Sequence, residues 1–116
     1  METLELEQVK PTFDYLLSNW IDAAQAYVHY REDIQQSCIA NVDRLNDELN
    51  TVLTLRGTMN FCKGKVAGYL TATQKQVTDE DYQFLREDYQ RVVEDVHEWL
   101  DRLPDFGVLG HITDDI

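Results

Sequence analysis

Residues Thr78–Leu103 read TDEDYQFLREDYQRVVEDVHEWLDRL. Within this stretch Tyr82, Leu85, Tyr89, Val92, Val96, Trp99 and Leu103 recur at alternating steps of three and four. That spacing puts these seven apolar side chains on one side of a helix and leaves most of the other side to charge. Thr78 stands where an N-cap hydroxyl is needed, and Asp79, Glu80 and Asp81 place negative charge in the first turn, against the positive end of the helix dipole. Pro104 stops the pattern.

Working back toward the N-terminus, the same period returns twice. Phe13, Leu16, Leu17, Trp20, Ile21, Ala24 and Val28 form one amphipathic stripe, which begins just after Pro11 with Thr12 as a cap or Pro11 itself as the first helical residue. Ile34, Cys38, Val42, Leu45, Leu49 and Val52 form the next, with Ile39 and Leu53 widening the stripe. No glycine or proline separates the two, so residues 12–55 are either one long helix or two; globular helices seldom exceed about 25 residues, which favours a break near residues 30–35. Met59, Cys62, Val66, Tyr69, Leu70 and Thr73 continue the helical spacing through Gly57, Gly64 and Gly68. These three glycines share one face, which predicts a close helix crossing there. The alternative is a loop over Gly64–Tyr69.

The expected fold is therefore all-α: a bundle of three to four mostly antiparallel helices over residues 12–103, an N-terminal arm over 1–11 and a short apolar tail over 104–116. With 116 residues and 43% hydrophobic content the chain is long enough for one core. It contains no apolar run near the ~20 residues of a membrane span. The acidic start Met-Glu-Thr-Leu-Glu-Leu-Glu lacks the features of an export signal. Cys38 and Cys62 lie on apolar positions and fit no ligand spacing. A reducing cytoplasm, of the host if the protein is viral, or a virion is the expected setting.

The formal charge is −12, which argues against binding of nucleic acid or anionic lipid. It is unevenly spread. Between Asn50 and Val77 there is no Asp or Glu, only Arg56, Lys63, Lys65 and Lys75; this strip is +4 and the remaining six basic and 22 acidic residues give −16 elsewhere. Glu80, Glu87, Glu94 and Asp101 recur every seven residues beside Asp81, Asp88 and Asp95, so the last helix carries two rows of carboxylate. Such a face solvates the protein, docks basic partners or imitates phosphates.

Neither a catalytic set nor a cofactor motif is expected. Glu94 and His97 make half of a carboxylate-bridged metal motif, and His29 with Asp33 does not supply the rest. Gly64-Lys65 lacks the remainder of a phosphate loop. The expected partners are proteins, including copies of the chain itself. The candidate contacts are Arg56, Lys63 and Lys65 in the basic strip, Glu87, Glu94 and Asp95 in the acidic face, and Phe106 and Leu109 in the tail, which either folds over the open end of the bundle or inserts into a neighbour.

The stretch Leu53-Thr54-Leu55-Arg56-Gly57-Thr58-Met59-Asn60-Phe61-Cys62-Lys63-Gly64, preceded by a Trp-containing helix and a long polar helix, resembles small helical proteins encoded among the structural genes of tailed bacteriophages. The resemblance implies a non-enzymatic structural or assembly role. Two other functions fit the same residues: an acidic inhibitor that blocks a host nucleic-acid-binding protein through carboxylates placed like phosphates, and a cellular helical adaptor or regulator.

Overall fold

The computed structural model describes residues 3–36 and 42–103, which form three helices and, among the described residues, no strand. Helix α1 runs Leu6–Gln36, α2 Val42–Thr73 and α3 Asp79–Asp101. The Tyr69 hydroxyl donates to the Val9 carbonyl at 3.3 Å, and the Tyr30 hydroxyl donates to Glu48, so α1 and α2 are antiparallel. Lys10 pairs with Asp88, while Val28 and His29 share a recess with Trp99 and Arg102, so α3 runs parallel to α1. The up-down-up bundle measures 61 × 21 × 19 Å.

The core is three stripes facing one another. Helix α1 supplies Val9, Phe13, Leu17, Trp20, Ala24, Tyr27, Val28 and Ile34; α2 supplies Val52, Met59, Val66 and Leu70; α3 supplies Leu85, Val92 and Val96. The seven-residue repeat of Val52, Met59, Val66 and Thr73, all buried, keeps one seam of α2 inside from Val52 to its end. The heptad of α3 behaves as its spacing predicts, and Thr78 caps the helix by accepting from the Asp81 N–H at 3.1 Å.

Three expectations change, and the loop alternative over Gly64–Tyr69 falls. Residues 1–11 are not simply an arm, because α1 starts at Leu6 and contains Pro11. The Leu4 N–H donates to the Gln76 carbonyl at 2.6 Å, the Glu5 N–H donates to Gln8 Oε1 at 2.8 Å, and Val9 is buried, which together anchor a helical start ahead of the proline. Pro11 and Glu7 are both exposed, so the intrahelical bond that Pro11 removes is lost on the water-facing side.

The break does not fall at residues 30–35. The stripe passes through that polar stretch by way of Arg31, which is 2% exposed, lies with its guanidinium 5.9 Å from the Tyr27 ring centre and donates to the Tyr27 hydroxyl at 3.1 Å. Helix α1 therefore reaches Gln36, and α2 begins at Val42. Gly64–Tyr69 is helix and not loop, so no fourth helix arises among the described residues.

The third change concerns the glycines. A Cβ built on Gly57, Gly64 or Gly68 meets nothing within 4 Å, so the close crossing expected there is not made by any described part of this chain. The three residues do share a face, as their spacing dictates, but it is the outer face of α2.

Candidate interaction surface

The outer face of α2 follows from the helical period. About 3.6 residues per turn align Asn50, Leu53, Gly57, Phe61, Gly64, Gly68 and Thr71 opposite the buried seam, and the exposed Lys75 follows in the turn after α2. Leu53 is 45% exposed and Phe61 64% exposed, although both are large and apolar. Lys65 lies with its ammonium 4.6 Å from the centre of the Phe61 ring. The threonine hydroxyls here turn back onto their own helix: Thr54 donates to the Asn50 carbonyl at 3.0 Å, Thr58 to Thr54 at 3.1 Å and Thr71 to Ala67 at 2.9 Å. The face is thus uncharged apart from Lys65 and Lys75, and its hydroxyls already have acceptors.

The basic strip does not form one patch. Arg56 and Lys63, seven residues apart, share a side of α2 that leans toward the bundle; both are half-buried, and Lys63 Nζ sits 6.0 Å from the Trp20 ring centre. Lys65 is carried to the opposite side and is exposed. Of the three strip residues expected to make contacts, Lys65 is thus the most open.

On α3 the two acidic rows separate. Glu80, Glu87, Glu94 and Asp101 are all exposed, as is Asp95. Asp88 is held at the α1 interface by Lys10 at 3.2 Å and by Arg91. Phe84, 54% exposed, lies between Glu80 and Glu87 in a shallow recess and interrupts the acidic face with an aromatic ring. Phe106 and Leu109 lie outside the described residues. His97 and Glu94 are exposed, and no group of three or more His, Cys, Asp or Glu is gathered among the described residues. No described helix is long and apolar enough to cross a membrane.

Lys10 ties α1 to α3. Its ammonium donates to Asp14 at 3.1 Å and to Asp88 at 3.2 Å. The Asp14 bond, reinforced by Asp88 and opposed by partial burial, holds its pKa above the usual 10.5. A lysine that binds its proton more tightly in the folded chain stabilises fully below its unfolded pKa, and the contribution disappears as pH rises through the folded value. Lys10 is 44% exposed, so the pair contributes at most about 1 kcal/mol. In urea titrations the stability difference between the wild type and Lys10→Met stays constant from about pH 7 to 9 and shrinks above about pH 10.4.

No family model, curated protein or solved structure matches the chain. Leu53, expected from its spacing to widen the apolar stripe, is exposed instead, and the exposure of Phe61 is likewise not expected from composition. The available signal is that Phe61 stands two residues from Met59 and five from Val66, off the buried seam.

Proposed function

We propose that this is a non-enzymatic helical contact protein, a structural or assembly subunit of phage or viral type, whose principal contact is the outer face of α2. The observation that carries the reading is the exposure of Phe61 and Leu53 on the one segment of an acidic chain that has no carboxylate. Solvent gives no physical reason to place a phenylalanine among three glycines on a surface helix, since each glycine costs about 1 kcal/mol relative to alanine. A partner does. Flat, weakly charged surfaces with an aromatic anchor and satisfied polar groups lose little on being covered. The stretch resembling phage structural proteins, Leu53–Gly64, forms the middle of this face.

Light scattering combined with crosslinking against the structural proteins of its source tests the reading. The joint change Leu53→Glu and Phe61→Glu abolishes complex formation without loss of helicity, whereas Glu87→Lys, Glu94→Lys and Asp95→Lys leave it intact. The reverse pattern would assign function to the α3 carboxylates and support the phosphate-imitating inhibitor instead.

A further inference from the structure

We infer that the occupant of the outer α2 face is a second copy of this chain, packed antiparallel about a twofold axis that passes between Cys62 and Lys63. The inference rests on the reading of this face as a contact surface and adds what covers it.

Charge selects the face. Two chains of −12 repel wherever their acidic surfaces approach, and the strip from Asn50 to Val77 has no carboxylate. The outer face of α2 is turned away from the seam that packs on α1 and α3, so pairing here leaves the exposed carboxylates of α3 on the far sides of the dimer. Burial there strands no hydroxyl, because Thr54, Thr58 and Thr71 already donate to their own helix.

Shape selects the register. An antiparallel pair centred between Cys62 and Lys63 brings Gly57 level with Gly68 of the second copy, sets the two Phe61 rings side by side and places the two Gly64 backbones beside them. Thr54 then lies against Ala72 of the second copy and Leu53 against its Thr71. The open space at each glycine Cβ lets the helix axes come to the short end of the usual 8–10 Å range and makes room for the rings. At both ends of the contact Lys75 meets Asn50 of the second copy, with the exposed Asp47 less than one turn further on, so opposite charges close the interface twice. Residues 50–73 of α2 span about 36 Å of helix. A strip of that length from each copy approaches the roughly 1,200 Å² at the lower end of specific interfaces, which corresponds to a reversible dimer.

Sedimentation equilibrium of the full chain from micromolar to millimolar concentration reads the pairing. A monomer–dimer equilibrium is expected, and Phe61→Glu and Gly64→Leu each weaken it at least about tenfold while circular dichroism stays that of the wild type. Register is read by oxidation in a Cys38→Ser, Cys62→Ala background that keeps the wild-type helicity. Gly64→Cys crosslinks to itself, and Thr54→Cys crosslinks only when mixed with Ala72→Cys. Thr54→Cys crosslinking to itself would show parallel pairing and overturn the register. A dimer untouched by Phe61→Glu and Gly64→Leu would place self-association elsewhere. A strict monomer whose binding to another protein is still abolished by Phe61→Glu would overturn self-pairing but leave the contact surface standing. A monomer that dimerises only after Phe106→Asp and Leu109→Asp would name the chain's own tail as the occupant.

Discussion

Replacing Gly57, Gly64 and Gly68 together by alanine raises the stability of the monomer by about 2–3 kcal/mol. All three lie well inside a helix of 32 residues, where glycine costs up to about 1 kcal/mol each relative to alanine. A methyl at any of them meets nothing within 4 Å, so no clash offsets the gain. The melting temperature rises by roughly 10 °C for a domain of this size, measured by circular dichroism at concentrations low enough to keep the chain monomeric. Destabilisation would show that the glycines serve a packing contact inside the fold. The expected gain means that the wild-type sequence forgoes stability along this strip, as natural proteins do where function sets the surface.

The opposite extreme is Trp20→Ala. Trp20 is 1% exposed, its ring on α1 lies 5.8 Å from that of Tyr89 on α3, and the Lys63 ammonium of α2 lies 6.0 Å from its ring centre, so one side chain is packed among all three helices. Truncating a fully buried tryptophan costs about 3–5 kcal/mol. Domains of this kind have about 5–15 kcal/mol in total, so the urea midpoint falls by about a fifth or more and the thermal transition broadens. A loss below about 1 kcal/mol would mean that the three stripes do not converge on Trp20.

These two changes also show what the sequence discloses. The seam of α3 and the cap at Thr78 are legible because each depends on local spacing alone. Trp20 is legible as a core residue for the same reason. The start of α1 is not, because Pro11 reads as a boundary while the anchors that let the helix begin at Leu6, the Gln76 carbonyl and the core around Val9, are distant in sequence. The helix break is placed too early because Arg31 counts as polar although its stem and guanidinium are buried against Tyr27. Summing the charge of Asn50–Val77 hides the helical period that sends Lys65 outward and leans Arg56 and Lys63 inward. The shared face of the glycines is legible from spacing; that no described part of the chain packs against it is a tertiary fact that spacing does not contain.

The most direct test of the contact surface is site-specific photo-crosslinking of the full chain in its own cells, with a photoreactive phenylalanine analogue at position 61 and, separately, at position 87. Position 61 yields discrete covalent adducts with protein, and position 87 on the exposed acidic row of α3 yields none. Adducts at 87 with none at 61 would contradict the assignment of the contact to α2.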